Sequence, residues 1–233
     1  MKIIYRCAEL ETTINYRPKG TVPDWIDKRK CFKSLLNSIQ YSSINTLIHI
    51  VHDGNSGILE EYIKSYKNQN IIFQKINNKS NALSYNLCLQ LAKQYDDDVY
   101  LLEDDYLHLP NAIKIIHEGV KKFGLVTGYD HPDRYTRIDD ITYKNEEVNI
   151  TNSSHWRTAE ATTCTWASSK EIFNIIFQEA INYGIEDRSF FRFIFNNKKI
   201  RLWQPLPGVS THLANPFFSP LIDWKFFNDS IIL

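Results

Sequence analysis

What the chain has little of narrows its function first. Its four cysteines, Cys7, Cys31, Cys88 and Cys164, lie far apart and form no C-x-x-C pair. A zinc site of the usual kind is disfavoured, and buried free thiols in a reducing compartment are expected. Neither sign of charge is in surplus: 27 Lys and Arg against 27 Asp and Glu give a formal net charge of zero. That argues against nucleic-acid binding by bulk electrostatics and leaves room only for a local basic patch. No apolar run approaches the roughly 20 residues that span a bilayer. The opening MKIIYRC meets Arg6 too soon to be a signal-peptide core, so a cytoplasmic protein without a transmembrane segment is expected. There is no internal repeat or low-complexity linker, and no G-x-G-x-x-G or G-x-x-x-x-G-K-[ST] phosphate loop.

What is present suffices for a folded domain. The chain is 43% hydrophobic and 23% charged, enough apolar surface to bury a core and too little charge for disorder. Its first half alternates strand and helix. Ile3–Tyr5, Thr46–Val51, Ile71–Ile76, Val99–Leu102 and Leu125–Thr127 read as strands. Helical spacing of apolar residues predicts helices over 27–41, through Leu59, Tyr62, Ile63 and Tyr66, from Leu83 to about Gln94, and along Leu109 to Phe123. Ser56 is placed to cap the second of these. Such alternation implies βαβ units with helices on both faces of a mostly parallel sheet. The second half is more polar. A hairpin near Val148–Thr151, a strand over Ala161–Ala167, helices over 169–182 and 186–196, and a last strand at Ile200–Trp203 are predicted. The proline-bearing tail from Pro205 reads as extended and wrapped rather than helical.

In open α/β sheets, ligands bind at the carboxyl ends of strands. Polar clusters follow the strands at Arg6, at Asp53 and at Glu103-Asp104-Asp105. In an extended chain residues i and i+2 share a side, so Glu103 and Asp105 are expected to face one ligand. Carboxylates this close repel unless a cation lies between them, and hard oxygen ligands suit Mg²⁺ or Mn²⁺. The plainer reading is a solvated acidic turn preceding a helix whose dipole favours it.

The segment LLEDDYLHLPNAIKII (101–116) resembles the D-x-D region of GT-A glycosyltransferases, in the E-D-D form of N-acetylglucosaminyltransferase-type enzymes. IIYRC after the start, HDGNS (52–56) and NKSNALSYN (78–86) fall in that family's order and spacing. The resemblance covers roughly residues 1–130. It implies an α/β, single GT-A (Rossmann-like) domain, with a nucleotide-sugar-binding half over 1–127 and an acceptor half and tail over 128–233. The central sheet would be joined by a small acceptor-side sheet. Asp105 would be the metal ligand, and Glu103, Asp104, Asp53, Arg6, Lys79 and Asn81 would lie on the nucleotide-sugar side. The stretch 8–26, with Arg17-Pro18-Lys19-Gly20, departs from the pattern. It is longer than the usual loop and could serve as a lid or acceptor element.

YDHPDRY (129–135), SSHWRTAEATTCTWA (153–167) and the segment 205–224 are similar to parts of a bacterial and viral group of GT-A-like proteins. By the same resemblance, His212 would complete the metal site, and the Glu186-Asp187 pair would supply the general base in Asp187. A loop histidine and an acidic helix N-terminus are the plain alternatives. Asp130 is a second candidate base, although its turn explains it without catalysis. His155, Trp156, Arg157 and Trp166 are candidate acceptor contacts, since aromatic faces stack on sugars and Arg or His can bond hydroxyls. Singly, each Trp is more readily a core residue. The expected activity is metal-dependent sugar transfer, with Mn²⁺ or Mg²⁺, from a nucleotide diphosphate-sugar to a hydroxyl acceptor, with inversion. A nucleotidyltransferase and a non-catalytic nucleotide- or glycan-binding module are the alternatives. The first of these usually carries the glycine-rich loop missing here.

Overall fold

The strands of the first half carry apolar residues on both faces, and each face finds its own helices. In the computed structural model, which describes residues 1–66, 70–135 and 146–233, β1 (Lys2–Cys7), β2 (Leu47–Asp53), β3 (Ile71–Ile76) and β4 (Val99–Glu103) pair in parallel in the order β3-β2-β1-β4. Period-2 alternation sends Ile3, Tyr5, Tyr100 and Leu102 into one core, against Phe32 and Leu35 of α2 (Lys28–Ser42) and Ile113 and Ile116 of α5 (Ala112–Phe123). It sends Ile4, Val51 and Leu101 into another, against Leu89 and Ala92 of α4 (Asn81–Gln94). Burial on both faces is what makes such strands continuous apolar runs.

Beyond β4 the sheet continues as β9-β6-β10-β8-β7, making nine strands among the described residues that run through both halves of the chain. Here β9 (Trp166–Ser168) is antiparallel to β4 and to β6 (Leu125–Val126). β10 (Leu202–Leu206) runs parallel to β6 and antiparallel to β8 (His155–Ala159), which pairs with β7 (Val148–Ile150). A separate two-stranded sheet joins β5 (Tyr106–His108) to β11 (Ser210–His212). The helices α6 (Lys170–Tyr183) and α7 (Asp187–Lys198) cover the second half. No helix among the described residues is long and apolar enough to cross a membrane.

Three expectations are corrected. The strand expected over 161–167 begins only at Trp166, as β9, and a turn separates it from β8; there Thr127 Oγ1 lies 3.1 Å from Thr162 Oγ1 and donates to the Thr165 carbonyl. Hydroxyls that bond locally compete with a ladder. The tail is not wholly extended: beyond its last proline, Asp223 accepts from the Phe226 N–H at 2.9 Å and starts α8 (Trp224–Ser230). Ser56 does not cap α3 (Ile58–Ser65). Its first N–H groups, at Leu59 and Glu60, are taken by Glu9 from across the fold at 3.1 and 3.0 Å. The hairpin expected at 148–151 forms as β7 and β8, while 136–145 of the polar stretch before it lies outside the described residues.

Candidate functional site

The carboxyl ends of β1, β2 and β4 open into a cleft of about 490 Å³. Four cationic side chains line it, Arg6, Arg17, Lys28 and Lys79, together with four carboxylates, Asp53, Glu103, Asp104 and Asp105. Its far wall is the segment 8–26, whose α1 (Leu10–Tyr16) contributes Thr12, Thr13 and Asn15.

Each carboxylate of the acidic run has a cation of its own. Arg6, at the end of β1, ion-pairs with Glu103 and donates to Asn81, its bond to the Asn81 carbonyl being 2.9 Å. Asp104 accepts from Lys28 Nζ and from the Ala8 N–H, both at 2.7 Å, and that ammonium also donates to the Ala8 carbonyl and to Thr13. Asp105 ion-pairs with Arg17 and has His212 Nε2 at 3.3 Å. Glu103 and Asp105 both line the cleft, but each meets a different cation. The strand ends at Glu103 and the next two residues form a turn, so period-2 geometry stops applying.

His212 reaches Asp105 because β11 pairs His212 with Tyr106 and its ring stacks on the Tyr106 ring, centroids 5.2 Å apart. The next residue, Leu213, donates its N–H to the Asp105 carbonyl at 2.8 Å. Burial by itself would raise the Asp105 pKa, but His212 and Arg17 beside it hold the carboxyl well below the usual range. Asp53 holds the loop before α4, accepting from the Lys79 N–H at 3.0 Å and the Ser80 N–H at 3.4 Å. Lys79 adopts a left-handed φ of 49° at that turn, with an exposed side chain.

A divalent cation would find Asp105 and His212 as ligands, and the second oxygen of Asp105, Oδ1, is buried without a partner among the described residues. Against it stands the Arg17 guanidinium, which already ion-pairs with that carboxylate and lies 3.1 Å from His212 Nε2. Among the described residues no cluster of three His, Cys, Asp or Glu side chains is shaped to hold a metal. As they stand, these side chains fit a metal ion poorly.

Asp187 is the first residue of α7, and its pKa is pushed up to about 6. Burial is the main cause, with the Glu103 charge adding to it, while backbone N–H bonds from Arg188 and Cys164 pull the other way. Asp187 is not among the residues that line the cleft. Glu186 takes the N-cap position, is exposed, and makes no side-chain cap.

The acceptor candidates do not gather at the cleft. Trp156 is fully buried against Gly119 and Phe123, and its indole donates to Thr151 at 3.0 Å. Trp166 is fully buried among Phe173, Phe190 and Phe191, donating to Tyr85 at 3.0 Å. Both are corrections: neither has a free face for a sugar. Arg157 is buried and pairs with Asp130 at 2.9 Å. Asp130 also accepts from Gln204 and, at 2.5 Å, from Tyr135, so it is not available as a base. His155 is exposed, but β8 lies four strands from β4, roughly 19 Å at ordinary strand spacing. The four thiols are buried and unpaired with one another. Burial pushes Cys88 to about 12, which rules it out as a nucleophile.

Lys28 was not singled out from the sequence, although it had a signal: it shares a helical face with Cys31, Phe32 and Leu35, so a charged group falls on the buried stripe. Arg17 was marked only as part of the long 8–26 stretch, not as the partner of Asp105.

No protein-family model matches the chain, and no curated protein matches it in sequence. Solved structures do match its fold. A Bacillus anthracis protein assigned as a glucose-1-phosphate thymidylyltransferase aligns with TM-score 0.54 and 14% identity, over 100% of this chain and 96% of that one. The 4-diphosphocytidyl-2C-methyl-D-erythritol synthase of Anaerococcus prevotii aligns with TM-score 0.54 and 13% identity, over 98% and 93%. TarS of S. aureus aligns with TM-score 0.50 and 12% identity, over 87% of this chain and 34% of that one. At such identities the likeness establishes the fold alone. That fold is a GT-A-type, Rossmann-like α/β domain, as the resemblance in the sequence implied.

Proposed function

We propose that the chain is a glycosyltransferase that takes a nucleotide diphosphate-sugar in the cleft and passes the sugar to an acceptor hydroxyl. One observation carries the reading: a cleft at the carboxyl ends of β1, β2 and β4 in which Arg6, Arg17 and Lys28 are each anchored by a buried or half-buried carboxylate. Side chains held in place by such pairs are already oriented when a charged ligand arrives, so little reorganisation is needed as charge develops. Arg6, Arg17 and Lys79 would face the diphosphate, with Lys28 fixing Asp104 behind them, and Asp53 and Asn81 the nucleoside.

Asp187 would be the base. The acceptor oxygen attacks the anomeric carbon and its proton passes to Asp187. The bond from that carbon to the diphosphate breaks, and the electron pair leaves on the diphosphate oxygen. A carboxyl with a pKa near 6 is a stronger base than an ordinary aspartate and is still ionised at neutral pH. Attack opposite the leaving group would invert the anomeric centre.

The names of two fold neighbours raise nucleotidyl transfer as the competing reaction. The chain disfavours it, because the loop after β1 contains no glycine and turns into α1 at Leu10. Incubation with a panel of nucleotide diphosphate-sugars, followed by product analysis, tests the reading. Release of nucleoside diphosphate and free or transferred sugar is expected. Release of pyrophosphate from nucleoside triphosphate and sugar-1-phosphate, with no cleavage of any nucleotide sugar, would replace it with nucleotidyl transfer.

A further inference from the structure

The acidic run after β4 invites a metal, yet among the described residues the cleft it lines carries as many cationic as anionic side chains. A site that gathers a divalent cation normally presents an excess of negative charge to it. Here that excess is already cancelled inside the protein, and at Asp105 the cancelling group is Arg17.

Arg17 is not a stray surface side chain. Its segment is tied to the tail from the end of the Pro18–Gly20 turn onward. Asn215 donates its N–H to the Thr21 carbonyl at 2.8 Å and its amide to the Gly20 carbonyl at 3.2 Å, and Phe218 stacks on Trp25 with centroids 5.6 Å apart. The same tail carries His212, whose ring nitrogen lies 3.1 Å from Arg17 Nη2. One tertiary clasp therefore delivers both the histidine and the guanidinium to Asp105. Arg17 Nη1 is buried and has no partner among the described residues, which leaves N–H donors unspent beside the cleft.

We propose that Arg17 takes the place of the divalent cation at Asp105 and His212, so that the cleft holds a nucleoside diphosphate without a metal. The inference rests on the reading that this cleft takes a nucleotide diphosphate. A guanidinium suits the task. It is always charged, and it can keep one edge on a carboxylate while the other donates to phosphate oxygens. The length of the 8–26 segment then has a use: it brings a fixed positive charge to the place where a shorter loop would leave a carboxylate and a histidine open to a metal.

The test uses the full chain, stripped with EDTA, in two independent arms. In the first, Mn²⁺ alone is titrated and the free ion is followed by its EPR signal. The wild type should show no stoichiometric binding, whereas Arg17→Ala, with Asp105 and His212 uncovered, should bind at least tenfold more tightly. In the second, UDP, GDP, dTDP and CDP are titrated calorimetrically with and without EDTA. The nucleotide that binds should do so equally in both, and should lose at least tenfold in affinity in Arg17→Ala without metal. Arg17→Lys, which keeps the charge, should still exclude Mn²⁺ and guards against loss of the fold. One equivalent of Mn²⁺ bound by the wild type, no tighter in Arg17→Ala, would overturn the proposal, as would diphosphate binding that EDTA abolishes. If no nucleotide binds under any condition, the functional reading falls, while the Mn²⁺ arm still decides the role of Arg17.

Discussion

Replacing Asp187 by Asn should make the protein more stable and inactive at once, and the size of the gain follows from where the carboxyl sits. An ordinary aspartate titrates near 3.8, and Asp187 in the fold near 6, chiefly because burial disfavours its charge. In the unfolded chain it ionises freely. Its folded form is therefore at no disadvantage below pH 3.8, loses ground as the pH rises, and bears the whole cost above about 6. A gap of about two pH units at about 1.4 kcal/mol each is ~3 kcal/mol. The shift is already net of the backbone N–H bonds that favour the charge, so about 3 kcal/mol of stabilisation is expected for Asp187→Asn at pH 8, or ~6–12 °C in Tm for a domain of this size. At pH 3.5 the variant and the wild type should melt together. Scanning calorimetry at the two pH values, beside single-turnover sugar transfer, makes the comparison. Wild-type turnover should also fall as the pH drops through about 6, as the base becomes protonated. A lower Tm for Asp187→Asn at pH 8 would mean that the carboxylate is a satisfied helix cap, and the physical ground for calling it the base would be gone.

Other substitutions separate packing from chemistry. Trp156→Ala should cost ~3–5 kcal/mol in urea unfolding, as for a large buried side chain, with the acceptor KM unchanged in whatever fraction stays folded. Asp130→Asn leaves the Arg157 guanidinium buried beside a neutral amide, and an equilibrium unfolding curve should report a loss of ~3–5 kcal/mol. Gly57→Ala would bring a Cβ to 2.6 Å from the Glu9 carboxyl carbon. Pushing Glu9 off the first turn of α3 should cost ~1–3 kcal/mol, read as faster hydrogen exchange at Leu59 and Glu60.

The alternation that makes β1 to β4 and their helices is local, and it was legible: β3 was expected at Ile71–Ile76 and stands there, and the neighbouring strands differ by a residue or two at their ends. The residues themselves also put polar groups at the ends of those strands, where the cleft lies. Less legible was the second half, where short strands of mixed direction are held by partners distant in sequence. No window around Trp156 or Trp166 says that Gly119 or Tyr85 will be there to receive them.

What the sequence by itself determined is the run of elements and the acidic turn after β4, because hydrophobic period and strand-end polarity act over a few residues. Which cation faces each carboxylate was decided only by the tertiary structure. Arg6 comes from the neighbouring strand, Lys28 from a helix 76 positions away from Asp104, and Arg17 from a loop clasped by the tail. Charge pairing depends on distances of a few ångströms in space, and chain separation carries no information about those until the sheet has closed.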